Sequence, residues 1–348
     1  MKRLIDLRSD TVTRPTPAMR RAMSRAEVGD DVFGEDPTVR RLEELAAETL
    51  GQAAALFVPS GCMGNLLAVI VHTGRRSAAL VGDSSHIWLS EAGAYALVGG
   101  VPARPLATDR LGRLYPGDVA RAAATDLHLG RAGLLCLENT HNFCGGTALR
   151  PADVEKIIAP ARQRGLRLHL DGARIFNAAT ALGVSAKKLA APFDSVMFCL
   201  SKGLCAPVGS LLCGSEAFVA EARATRKLLG GGMRQAGVLA ACGIIAITEM
   251  AKRLGEDHVN ARWLAERLAE LPGLDVDRET VQTNMVMVGC RGAKGRNANW
   301  LRQALAARGV LALVMPTAEP RLRLVTHHDV TRADCERAAR IFREVVGG

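Results

Sequence analysis

Seven short apolar runs punctuate the chain between residues 53 and 213, and their spacing leaves few folds open. Residues 53–58, 78–82, 101–106, 133–137, 166–170, 194–200 and 208–213 each have the length and the aliphatic or β-branched content of a buried strand. Helical stretches separate most of them. That alternation predicts an α/β fold, a mostly parallel seven-stranded sheet wrapped by helices. Ligands in such sheets sit at the carboxyl ends of the strands. His86, Glu138, Asn139, His141, Asp171 and Lys202 fall there or just beyond.

The last two runs flank one lysine, Lys202, set between Ser201 and Gly203. An ammonium near two buried strands loses hydration, and the neutral amine is the form that attacks a carbonyl. A loop lysine with its head in water fits the spacing equally well. Upstream, the run 166–170 ends in Asp171, followed by Gly172, Ala173 and Arg174. Asp171 could cap the next helix, and Arg174 could pair with it at the surface. As a pair, however, a strand-end carboxylate and a strand-end amine match pyridoxal phosphate, whose ring nitrogen wants an anion and whose aldehyde wants an amine.

A third feature is the turn 59–65, Pro-Ser-Gly-Cys-Met-Gly-Asn, between a strand and a helix expected over 66–72. A Gly-rich turn into a helix N-terminus offers free backbone N–H groups and the positive dipole end, which suits phosphate. It lacks the G-K-[ST] ending of a P-loop.

The formal charge of +10 raises the question of a nucleic-acid partner. The basic residues are dispersed, as in Arg20-Arg21 and Arg40-Arg41, with no long like-charge block and no aromatic interleaving, so most read as solvated surface. Nine cysteines show no C-x-x-C pair, and Cys136, Cys199, Cys213 and Cys242 lie in apolar runs, as small buried hydrophobes do. The charged N-terminus is unlike a signal peptide, and the apolar run 236–247 is shorter than the roughly 20 residues a bilayer needs, so a cytoplasmic location is expected.

Residues 1–17 read as an extended N-terminal arm, 18–253 as a large domain and 254–348 as a small α+β domain. In the large domain, a helix is expected from Asp36-Pro37 to Gly51, another over 216–229, and a long apolar one from Met233 to Ile247. In the small domain, strands are expected over 310–315 and 321–326. Period two in the second puts Leu322 and Leu324 on one face and Arg323 on the other, facing across a cleft. His327-His328 looks like a metal pair but has no third ligand at suitable spacing, so no metal site is expected.

Taken together, the motifs Asp6–Arg14, Val28–Thr38, Glu138–His141, His169–Arg174, Leu200–Gly203, Gly230–Gln235 and Arg323–His327 resemble, in order and across nearly the full length, the low-specificity L-threonine aldolases. These are fold-type-I pyridoxal-phosphate (PLP) enzymes of the aromatic amino acid β-eliminating lyase/threonine aldolase group. The resemblance implies that Lys202 carries the cofactor as an imine, with Ser201 beside it, and that Asp171 pairs with the ring nitrogen. His86 would stack on the ring, and Ser60, Gly61 and Cys62 would bind its phosphate. Arg234 would reach a phosphate of the neighbouring subunit. Ser9, Arg174 and Arg323 would hold the substrate carboxylate, Arg174 also lying against the cofactor, with His128 near the substrate side chain.

The implied reaction is cleavage of L-threonine or L-allo-threonine to glycine and acetaldehyde, with His86, His128 or a water they hold as the base. The implied assembly is a homo-oligomer, a dimer with shared active sites that pairs into a tetramer. A related β-eliminating lyase and a phenylserine aldolase are the alternatives within the same chemistry. A catalytically silent basic binding protein is the alternative outside it. Three departures from the family pattern bear on substrate preference: Cys62 where threonine is common, a longer segment 142–147, and Cys205 where glycine is frequent.

Overall fold

The computed structural model describes residues 4–74, 77–124, 130–290, 296–317 and 319–347. A seven-stranded sheet dominates it, in the order Ala54–Val58, Ser210–Gly214, Ser195–Cys199, Arg167–Asp171, Arg131–Glu138, Ser77–Gly82, Ala103–Leu106. Only Ser210–Gly214 runs against its two neighbours. The expected mostly parallel sheet is therefore present, and each expected strand is there with its ends moved by a few residues.

Alternation across the sheet builds two apolar layers. Phe57, Leu168, Leu170, Val196 and Phe198 point to one side, into the largest core cluster. Leu56, Val58, Met197, Cys199 and Leu212 point to the other, under the helices Gly61–His72 and Glu216–Leu228. The first of these helices sits hard on the sheet: a Cβ at Gly64 would come within 2.7 Å of Met197 Cγ.

Several boundaries differ from expectation for local reasons. The helix expected from residue 66 starts at Gly61, because Ser60 Oγ accepts the Met63 N–H and caps it. The helix expected from Met233 starts at Gly237; its first-turn N–H is taken by Asp36 Oδ2, while Asp36 Oδ1 accepts the Val39 N–H and caps Pro37–Leu50. The run 310–315 divides. Val310–Leu311 pairs in parallel with Ile5–Asp6, and Leu313–Met315 joins Arg321–Val325 in a four-stranded sheet with Met285–Cys290 and Leu274–Val276.

The N-terminal segment is thus stitched into the C-terminal part of the chain. Ile5 and Leu7 are buried in the second core cluster with Leu264, Leu322, Leu324 and Phe342. From there the chain crosses to the lysine loop, where Thr13 Oγ1 donates to the Lys202 carbonyl at 2.8 Å.

Candidate active site

Glu138, Asp171 and Cys199 close three adjacent strands, so their side chains collect at one edge of the sheet. Asp171 is buried. One of its oxygens accepts the Ala173 N–H at 3.1 Å and the other accepts Asn65 Nδ2 at 2.9 Å. An ionised carboxylate has about four acceptor positions, so room remains for another donor. The surface pairing with Arg174 considered from sequence does not occur.

Asn65 also donates to Glu91 Oε1 at 2.8 Å, and the same oxygen meets His86 Nδ1 at 2.8 Å. His86 is held a second time, its backbone N–H donating to Glu138 Oε2 at 2.6 Å. Burial pulls the His86 pKa down, but the Glu91 hydrogen bond and the charges of Asp171, Glu138 and Glu91 outweigh it and raise the value. Burial likewise pushes the Glu91 carboxyl up. His86 is thereby an oriented imidazole with its second nitrogen, Nε2, unengaged by Glu91.

The Ser60–Cys62 turn lies at the same edge. Its N–H groups at Gly61 and Cys62 precede the helical hydrogen-bond ladder, as at any helix N-terminus. Gly61 has no room for a side chain: a Cβ there would stand 2.9 Å from Cys199 Sγ. Burial, with Glu91 and Asp171 nearby, pushes the exposed Cys62 thiol up to about 11, so it stays protonated near neutrality. Ser201 and Lys202 are half-buried in the loop beyond Ser195–Cys199. Cys205, at the end of that loop, has φ +65°, the left-handed conformation in which glycine is unstrained.

Two arginines face this edge from opposite parts of the chain. Arg174 is buried and makes a two-pronged pair with Asp10, Nε to Oδ2 and Nη2 to Oδ1, both 2.7 Å. Burial would raise the Asp10 carboxyl; Arg174, with Lys202 and Arg323, holds it well below the carboxylate range instead. Arg323 projects from the face of its strand opposite Leu322 and Leu324, as period two predicts. It donates to Asn142 Oδ1 at 2.8 Å and to the Arg8 carbonyl at 3.2 Å, while Arg174 reaches the same Asn142 oxygen at 3.5 Å. The buried Nε of Arg323 has no partner. Burial and the Arg174 charge lower the Arg323 pKa to about 10, a cation short of an anion.

The other predicted residues have partners of their own. Ser9 Oγ accepts the Thr11 N–H and caps a short 3₁₀ turn. Arg234 is exposed and bonds Asp30 Oδ2 at 2.9 Å. The neighbouring Gly231 packs against Met63 of the helix Gly61–His72. His327 bonds the Asp6 carbonyl at 2.8 Å and His328 bonds Asp329, so each imidazole of that pair has a protein partner. His128 lies outside the described residues. Asn65 and Asn142 were not anticipated from sequence. Asn65 had a signal, a buried amide in an otherwise apolar helix; Asn142 had none.

Comparisons with known proteins place the chain in a family. A family model described as "Beta-eliminating lyase" matches residues 6–291. Low-specificity L-threonine aldolase 1 of Arabidopsis thaliana is 44% identical over 349 residues, spanning 99% of this chain and 97% of the relative. The low specificity L-threonine aldolase of Escherichia coli is 45% identical over 341 residues, 98% of each chain. A solved threonine aldolase from Leishmania major superposes with a TM-score of 0.83 at 20% identity, covering 98% of this chain and 99% of that one. With a strand-end lysine and carboxylate, a capped anion turn and two facing arginines in one place, the chain belongs to the beta-eliminating lyase family, among the low-specificity L-threonine aldolases.

Proposed function

We propose that this protein cleaves β-hydroxy-α-amino acids, L-threonine and L-allo-threonine foremost, to glycine and an aldehyde with pyridoxal phosphate as cofactor. The observation that carries the substrate reading is the unpaired Nε of buried Arg323 beside Arg174, an unmet donor on a guanidinium whose fork suits a carboxylate. The residues present fit the cofactor. Asp171 keeps acceptor capacity for a ring N–H, and the Gly61 and Cys62 N–H groups, ahead of the helical ladder, are donors a phosphate can use.

When bound, pyridoxal phosphate supplies the electron sink for the pair released as Cα–Cβ breaks. The protein does the rest. Lys202 would offer its amine as the covalent anchor and would carry a proton to and from Cα. Asp171 holds the proton on the ring nitrogen. Arg174 and Arg323, with Ser9 near, fix the substrate carboxylate. Gly61, Cys62 and Ser60 receive the phosphate, with Ser201 next to Lys202. His86 is first a platform for the ring; its Nε2, or His128, or a water held by them, takes the β-hydroxyl proton.

The assembly proposed is a homodimer with shared sites that pairs into a tetramer. Phe33 and Leu228 are 73% and 83% exposed and flank the Gly231–Arg234 segment, a surface suited to a second copy. From such a surface Arg234 would reach the partner's phosphate. Among the described residues no helix is long and apolar enough to cross a membrane, and we place the enzyme in the cytoplasm, in threonine breakdown and glycine supply.

The decisive experiment is a panel of chirally pure threonine isomers and phenylserine offered to PLP-loaded protein. Glycine with the matching aldehyde is expected. Ammonia with a keto acid would replace this reading with β-elimination, which the matching family model also covers. Borohydride should fix the cofactor on Lys202; a colourless, unlabelled protein refutes the site.

A further inference from the structure

Asp171 is the end of a longer hydrogen-bonded line that begins at the opposite, amino-terminal edge of the sheet, on the same face. Asn65 and His72 lie two turns apart on one face of the helix Gly61–His72. Beneath them, His169 precedes Asp171 by one alternation of its strand, so both point to that helix. Ser195 is the register partner of His169 on the next strand. His72 Nε2 is 2.8 Å from Ser195 Oγ, and Ser195 Oγ is 2.8 Å from His169 Nδ1. His169 Nε2 is 3.1 Å from Asn65 Oδ1, and Asn65 Nδ2 reaches Asp171 Oδ2.

Partner chemistry dictates where the protons are. Asn65 faces two carboxylates with its amide nitrogen, so its oxygen must accept. His169 therefore carries its proton on Nε2. Burial lowers its pKa to about 3, so it is neutral and its Nδ1 is an acceptor. The Ser195 hydroxyl then donates to Nδ1 and accepts from His72 Nε2–H. His72 is neutral as well, burial lowering it to about 4. Every donor points towards Asp171. The outer end is open: His72 is half-buried, stacked on Phe218, and lines a cavity of about 810 Å³ at the amino ends of the strands.

We propose that His72, Ser195, His169 and Asn65 are positioning residues, a one-way chain of hydrogen-bond donors that holds Asp171 as an acceptor aimed at the ring nitrogen of the cofactor. A chain of aligned donors polarises each link towards the carboxylate. Cutting it lets His169 change tautomer, which takes the Nε2 proton away from the Asn65 oxygen and weakens the donor that the Asn65 nitrogen presents to Asp171. The loss falls on the one bond Asp171 makes to the ring nitrogen.

The inference rests on the proposed cofactor, and its test separates the two. Full-length protein is stripped and reloaded with PLP or with its 1-deaza analogue, whose ring carries C–H in place of nitrogen, and both dissociation constants are measured. Supporting groups of this kind are worth about 10- to 100-fold at sites where they have been removed, so Ser195→Ala is expected to weaken PLP about tenfold. His72→Phe, which can keep the stack on Phe218, should weaken it less. Neither variant should change affinity for the deaza analogue, and Ser195→Thr, which retains the hydroxyl, should restore PLP binding. Equal losses for both molecules, or no loss for PLP in either variant, overturn the chain. Wild-type protein that takes up PLP yet releases no glycine from threonine refutes the proposed reaction and leaves the chain standing. Wild-type protein that takes up neither molecule refutes both.

Discussion

Asp10 and Arg174, from the N-terminal segment and the end of a central strand, form a two-pronged ion pair with side chains 0% and 5% exposed. The pair ties the first turn of the chain to the site and aligns the guanidinium. Removing one member strands the other charge. Asp10→Ala is therefore expected to cost about 3–5 kcal/mol of stability, read by denaturant unfolding. Its acid dependence follows from the depressed Asp10 pKa. That contribution is complete above the ordinary value of 3.8 and drains away as pH falls towards the lower folded value. The wild type should lose this increment below about pH 4, and Asp10→Asn should not.

Arg323 has a different test. Its unpaired Nε and its bond to Asn142 make it a fork with one free prong. Lysine keeps the charge and loses the fork, so Arg323→Lys should raise KM for threonine by about tenfold or more, with kcat changed less. Steady-state kinetics on the PLP-loaded variant decides it; an unchanged KM removes Arg323 from carboxylate binding.

Glu91 sets the proton affinity of His86 through the 2.8 Å contact at Nδ1. The raised His86 pKa means its imidazolium is favoured in the fold until pH rises through that value. Glu91→Gln takes away the charge, so His86 should deprotonate at lower pH. A rate limb governed by His86 should then move towards acid in the pH profile of kcat/KM. A limb that stays put assigns the titration to another group.

Cys62 occupies the anion turn with a thiol that remains protonated. Cys62→Thr adds a hydroxyl donor at that point. One extra hydrogen bond is worth about 0.5–1.5 kcal/mol, so cofactor dissociation should slow by roughly two- to tenfold. Spectroscopic titration of cofactor-free protein measures it, and weaker binding would show that the turn has no room for the methyl group.

Much of the scaffold was readable in advance because its signals are local. Apolar runs of strand length located all seven strands of the large sheet, and Asp36-Pro37 and Gly51 marked both ends of a helix. Lys202 and Asp171 stood out because each closes such a run. The start of the next helix at Gly61 instead of residue 66 is also local: Ser60 Oγ accepts the Met63 N–H and caps the helix there, with its own O–H left to donate.

What sequence alone determined, then, is the sheet, its carboxyl edge and the kind of chemistry an amine and a carboxylate can share there. Only the tertiary structure decided who holds those groups in place. Arg174 takes Asp10 and not its neighbour Asp171, Asn65 joins Asp171 to Glu91, and Ser195 stands between two histidines. Periodicity and capping act over a few residues along the chain. Such partnerships depend on strand register and on which helix face lies over the sheet, and neither is written near the residues they join.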